Sequence, residues 1–197
     1  MNKIKLSIII SILSVIILTG CGLKYTAKYD IVKNHSEILQ PNKNINLIWT
    51  SQTFNFSNFK TMVIPKFINS KFIETKIDRN LIDPPHIYLK KMLNRSRIPI
   101  KFSNNNKSPK ALNAKALSKY EKDLAFGAII TDIREINKET QREKKIQISV
   151  QFMIYDLIHS HSLLLASHTQ KGLNATDCLE RICSDIATFL TNHHFTE

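Results

Sequence analysis

Apolar and polar residues alternate with the period of a β-strand along the second half of this chain. In Lys144–Tyr155, Ile146, Ile148, Val150, Phe152 and Ile154 fall on one face and Gln147, Ser149 and Gln151 on the other. That pattern predicts a half-buried antiparallel strand. An Ile-rich strand over Ala125–Ile136 precedes it, and Leu163–Thr169 follows after a loop at Asp156–Ser162. Together the three read as a meander. The pattern then changes to steps of three and four: Leu179, Ile182, Cys183, Ile186 and Leu190 form one stripe of a final helix. Asp177, with Glu180 three residues on, reads as its capping box.

The first half is less regular. Ile45–Thr53 alternates briefly, and Thr61–Phe67 is an apolar run interrupted at Pro65, a buried strand ending in a turn. Residues 68–83 form a polar connection. Asp83-Pro84-Pro85 opens a helix with Tyr88, Leu89, Met92 and Leu93 as its apolar face, ending near Ser96. Ile98–Phe102 is a short strand, which Pro99 assigns to an edge. Ser103–Pro109 reads as a loop and Lys110–Lys122 as a second helix. The sum is an α+β domain: a mixed or antiparallel sheet of about five strands, with two to three helices mainly on one face, in two layers.

The amino terminus carries different information. Lys3 and Lys5 precede the apolar run Leu6–Leu18. Thirteen residues are too few for a spanning helix, which needs roughly 20, and fit a signal peptide. Leu18-Thr19-Gly20-Cys21 closes the run as a lipobox. Cys21 is thereby the expected lipidation site and the first residue of the mature protein. One acyl chain anchors marginally and two or more stably, at about 0.8 kcal/mol per buried CH₂. Gly22, not Asp, follows the cysteine, which points to the outer membrane, facing the periplasm. Residues 1–20 are then the signal, 21–44 the acylated cysteine and a flexible tether, and 45–197 a single periplasmic domain.

Charge and chemistry refine this. The chain has 28 Lys+Arg against 16 Asp+Glu, net +12, two of which lie in residues 1–20. A basic domain can serve nucleic acid, anionic lipid or lipopolysaccharide phosphate, or solubility alone. The address excludes nucleic acid as partner and leaves the other two. Arg142, Lys144 and Lys145 form a charge cluster at a hairpin and are candidate lipid or partner contacts. Phe54, Phe56 and Phe59 read either as core or, if exposed, as a docking surface.

No catalytic residue is assigned. Only Gly127 and Gly172 follow Gly22, so no Gly-rich phosphate cradle exists, and there is no G-x-S-x-G elbow. Asp132 and Glu135 fall on opposite faces of a strand. His159, His161 and His168, with Asp156, are the one histidine set that could converge, but two of them sit in a turn, and no metal is assigned. Cys178 and Cys183 lie five apart on a helix, out of bridging geometry, with Cys183 expected in the core. No cofactor is expected beyond the lipid on Cys21.

The order of lipobox, tether, Phe59-Lys60-Thr61-Met62-Val63-Ile64-Pro65, helix, short strand, Phe126-Gly127-Ala128-Ile129-Ile130-Thr131-Asp132-Ile133, meander and terminal helix is informative. It resembles small Gram-negative lipoproteins whose domain is like the amino-terminal domain of TolB, a group that includes the curli secretion channel lipoprotein. The resemblance spans about residues 45–192. Where that group carries a glycine in the meander turn, this chain has His159-Ser160-His161. No pair of alternating ten-residue segments is left over for the membrane hairpins of channel-forming members. Two weaker resemblances are to auxiliary lipoproteins of lipid-transport ABC systems and to the lipoprotein partner of the lipopolysaccharide insertion barrel. The resemblances imply a non-enzymatic accessory or scaffold in an envelope assembly, transport or secretion complex, with an envelope protein as partner. The alternative is a module handling lipid or lipopolysaccharide.

Overall fold

Three long strands form the centre of the computed structural model, which describes residues 31–69, 84–136 and 145–195. β5 (Leu124–Ile136), β6 (Lys145–Asp156) and β7 (His161–Gly172) pair antiparallel, as their alternation requires. A bulge between Ile130 and Asp132 breaks the β5–β6 register. On one side, β2 (Leu47–Thr50) pairs with β7, and β1 (Gln40–Pro41) pairs with β2. On the other, β3 (Thr61–Pro65) runs parallel to both β5 and β4 (Lys101–Asn105). The seven-stranded order is β1-β2-β7-β6-β5-β3-β4. The sheet is therefore mixed and larger than the expected five strands. The two-residue β1 is too short for alternation to register in sequence.

Four helices join the strands among the described residues: α1 (Ile31–His35), α2 (Pro85–Arg95), α3 (Ala114–Leu117) and α4 (Ala175–Phe195). α2 and α4 cover one face. Leu89, Leu93, Leu179, Ile182, Ile186 and Leu190 are buried there against Phe126, Ile148, Val150 and Phe152. Each such side chain contributes about 1.5–3 kcal/mol on leaving water. The aromatic rings interlock, with Phe126 and Phe152 stacked at 5.6 Å.

The opposite face corrects the two-layer expectation. Met153, Tyr155, Leu165, Ala125 and Ile129 are buried on that side as well, under Ile31, Leu39, Leu112 and Leu117. β6 is polar there at Gln147 and Ser149 but apolar at Met153 and Tyr155, so one end of this face must be roofed. α1 and α3 supply the roof. Close approach also requires Gly127: a Cβ would stand 2.7 Å from a Leu112 methyl and 3.1 Å from both methyls of Leu117.

Other boundaries move for local reasons. The tether expected over 21–44 is folded from Ile31 onward; its apolar residues, too sparse for a period, are the ones that dock. The Ile31 N–H donates to the Gln151 side chain at 2.7 Å. Cys21 lies outside the described residues. The helix expected over 110–122 is the single turn α3, capped by the Asn113 side chain, which accepts from the Ala116 N–H. Leu112 and Leu117 are five apart, and both must face the sheet, which a continuous helix does not allow. α4 is capped by Asn174, not Asp177: the Asn174 side chain accepts from the Asp177 N–H at 2.8 Å, and Asp177 reaches back to the Leu173 N–H at 3.1 Å. Pro84 precedes α2, with Pro85 in its first turn, while Asp83 lies outside the described residues. β4 does occupy an edge, but it starts after Pro99 and takes in Ser103–Asn105, fixed by main-chain pairing with β3.

Cys178 and Cys183 are free and buried. Their thiols donate to the carbonyls of Ile146 (3.1 Å) and Pro85 (3.5 Å). Burial is the main cause that raises both pKa values, Cys178 to about 11. In the native protein at neutral pH neither thiol should react with a maleimide, and both should label once the chain is unfolded in denaturant. Mass spectrometry of the labelled chain reads this out.

Ser160, in the β6–β7 turn, has φ 59°, the one left-handed non-glycine residue among the described residues. Glycine meets no Cβ strain in that conformation. Ser160→Gly should therefore stabilise the domain by about 0.5–1 kcal/mol, measured as an upward shift of the urea midpoint at unchanged slope.

Candidate functional site

The aromatic candidates are core, which corrects their use as a contact surface. Phe54, Phe56 and Phe59 are 0, 1 and 6% exposed. Asn55 caps the 3₁₀ turn Phe56–Asn58 by accepting from the Ser57 N–H at 2.7 Å. This turn folds the rings inward, so Phe54 and Phe56 meet edge-on at 4.8 Å. His193 of α4 lies over Phe54, at 5.3 Å between ring centres. Of the basic hairpin, Lys145 opens β6 and is exposed; Arg142 and Lys144 lie outside the described residues.

The histidines divide. His159 and His161 stay beside Asp156, with Nδ1 atoms 2.8 and 4.0 Å from its Oδ2. Asp156 is 1% exposed. It accepts N–H bonds from Ile158 and His159 at 2.8 and 2.9 Å, the turn-shaping role its position predicts. Burial alone pushes its carboxyl up; the main-chain and side-chain bonds from His159 and the N–H of Ile158 outweigh this, and its pKa lies below the ordinary carboxylate value. The stabilisation this supplies is present above the unfolded-state pKa and is lost as pH falls through the lowered one.

His168 faces the other way, toward α4, and organises a network that alternation alone does not reveal. It is 3% exposed. Its Nδ1 lies 2.9 Å from Asn46 Oδ1 and its Nε2 lies 2.8 Å from Asp185 Oδ2. Thr169 N–H donates to the same Asn46 oxygen at 2.6 Å, which fixes the amide orientation, so Nδ1 carries a proton. The main-chain N–H of Asn46 also lies 3.4 Å from this Nδ1. Gln170 Nε2 donates to Asp185 Oδ2 at 2.6 Å. The network ties the β2 end of the sheet to α4. Its signal in the sequence is that His168 and Gln170 continue the inward register of Leu164 and Ala166, where a polar residue demands partners.

His86, at the start of α2, is also buried; its Nε2 lies 3.4 Å from Asn106 Oδ1, and its Nδ1 has no hydrogen-bond partner among the described residues. Burial is the main cause that lowers its pKa, so its neutral form is favoured. Among the described residues no three His, Cys, Asp or Glu side chains are grouped to hold a metal, and no helix is long and apolar enough to cross a membrane.

On the roofed face a cavity of about 260 Å³ opens between α1 and α3. Ile31, Leu112, Met153 and Leu165 form its apolar walls, and Asn34 and His35 stand at its mouth. Trp49 pairs with Leu165 across the β2–β7 ladder and packs, partly buried, on the same cluster. The sequence reading missed this region because it assigned residues before Ile45 to the tether.

No protein-family model and no curated protein sequence matches the chain. Among solved structures it is similar to the hypothetical protein CT253 from Chlamydia trachomatis, at 9% identity and a TM-score of 0.49, over 70% of this chain and 99% of that one. It is similar to the PelC dodecamer from Paraburkholderia phytofirmans, at 10% identity and 0.43, over 70% and 96%. The lipoprotein GNA1162 from Neisseria meningitidis gives 9% and 0.40, over 70% and 99%. At these values the likenesses carry no argument about this chain, and the resemblance to the TolB and curli group gains no support from them.

The His168 network makes a direct prediction. His168→Ala removes a buried ring and its bonds to half-exposed Asp185 and exposed Asn46, and should destabilise the domain by about 1–3 kcal/mol. The double variant His168→Ala/Asp185→Ala, which removes both polar partners, should cost less than the two single changes summed. Urea unfolding of the four proteins measures the coupling.

Proposed function

We propose that this chain is a non-enzymatic lipoprotein, anchored through Cys21 to the outer membrane and facing the periplasm. It serves as an accessory or scaffold in an envelope assembly, transport or secretion complex. The observation that carries the reading is the lipobox cysteine only ten residues ahead of a docked α1. A domain joined to its acyl anchor by so short a link works at the membrane surface. The well-filled core favours a scaffold, as does the engagement of the Asp156 and His168 clusters in holding the fold together.

The cavity between α1 and α3 favours a second reading, a lipid- or lipopolysaccharide-handling module. Its roughly 260 Å³ fall below the ~300–1,000 Å³ of sites that enclose a small ligand, which ranks this reading second.

Detergent extraction of the protein from its native membrane, followed by light scattering and mass spectrometry, tests both. The expected result is a diacylglyceryl-modified Cys21 and a set of envelope proteins at fixed stoichiometry. A lone protein carrying stoichiometric lipid beyond its own acyl chains would replace the scaffold by the lipid handler. A lone protein with nothing bound would overturn both roles.

A further inference from the structure

We infer that the α1/α3 face is a membrane-apposing surface that lies on the anionic phospholipid headgroups of the leaflet holding the anchor. The inference rests on the lipid-anchor reading and deepens it by assigning the face and its lysines. Two independent observations lead there.

The first is the length of the link. Cys21 is ten residues from Ile31, and ten residues reach at most ~36 Å fully extended. Ile31 is fixed on the sheet by its burial and by its N–H bond to Gln151. A domain of this size is roughly 40 Å across. Seating the α2/α4 face on the bilayer would therefore need the whole link stretched around the domain. Seating the α1/α3 face needs almost none of it.

The second is the chemistry of that face. Residues 110–122 lie over it through Leu112, Leu117 and Tyr120, which pack into its apolar cluster. Lys110, Lys115, Lys119 and Lys122 in this stretch are all exposed. Among the described residues none of the four has a carboxylate within ion-pairing distance. The exposed acids nearby are Glu37 and Glu121; Asp123 is occupied in accepting the N–H groups of Lys60 and Thr61 at 2.7 and 3.0 Å. Ile38, at 39% exposure, follows α1, and Ile158, at 58%, sits in the turn beside Leu157, which packs on the same cluster. Partly buried Trp49 and Tyr120 complete it. Lysines around scattered large apolar and aromatic residues suit the boundary between headgroups and acyl chains. Each lysine near an anionic surface is worth roughly a fivefold gain in partitioning.

Trp49 is the chain's single tryptophan, so it reports on this face alone. The test uses the full acylated protein, extracted from membranes and reconstituted into vesicles containing bromine-labelled lipid. One set is phosphatidylcholine; the other is phosphatidylcholine with phosphatidylglycerol. The expected result is quenching of Trp49 with phosphatidylglycerol present, relieved by high salt and in the K110Q/K115Q/K119Q/K122Q variant. Absence of quenching would overturn the inference, as would equal quenching in both lipids or in the variant. The intact mass of the same preparation reports acylation of Cys21 separately. If Cys21 carries no lipid, the anchor reading falls, and flotation of the same chain decides the surface. Binding to phosphatidylglycerol vesicles several-hundredfold stronger than that of the variant supports it, and equal binding overturns it.

Discussion

The constraint on which the rest of the structure depends is that the β5–β6–β7 meander is apolar on both faces at one end. On the α2/α4 side the strands present Phe126, Ile148, Val150, Phe152 and Leu164. On the reverse, Ala125, Ile129, Met153, Tyr155 and Leu165 do the same. A sheet with one wet face would need only the two long helices. This one needs cover on both sides, and the chain supplies it from whatever segments pass nearby: a five-residue helix before β1 and a four-residue helix before β5. Neither would be stable alone, since isolated helices of this length do not form in water. Their stability is that of Ile31, Leu39, Leu112 and Leu117 in contact with the sheet.

This separates what was legible in the sequence from what was not. β6 and α4 were readable because their periods run over many residues and because one face is buried along the whole element. The Leu179–Leu190 stripe is the core stripe of the structure. α1 and the Lys110–Lys122 segment were not. The first carries too few apolar residues to show a period. The second has helical-looking spacings that serve docking to a sheet. The Asn174 cap was missed for a related reason: Asp177 and Glu180 match the capping box, but the turn begins three residues earlier, where Asn174 satisfies the free N–H. Of the candidate contacts, the phenylalanines could be assigned either way until the 3₁₀ turn at Phe56–Asn58 set their direction. The His168–Asp185 pair joins residues on different elements through a third, Asn46, more than a hundred positions away, and no local pattern contains it.

The sheet's edges limit how the domain can bind a protein. An open strand edge is the usual place to add a partner strand. β2 is not an edge, because β1 covers it. β1 is two residues long and one of them is Pro41, which has no N–H to offer. The far edge, β4, carries exposed Lys101 and half-exposed Ser103, Asn104 and Asn105. Short, proline-bearing or lysine-bearing edges are the ones that resist strand addition. A protein partner is thus better placed on a face than on an edge. The α2/α4 side carries Lys90, Lys91 and Arg95 on α2 and Glu180 and Asp185 on α4, all at least partly exposed, a mixed polar surface of the kind found on interface rims. In the proposed orientation, with α1 and α3 against the membrane, this surface faces away from the bilayer. On that proposal the docking of Ile31, which buries the second face, also decides which side would remain open to a protein partner.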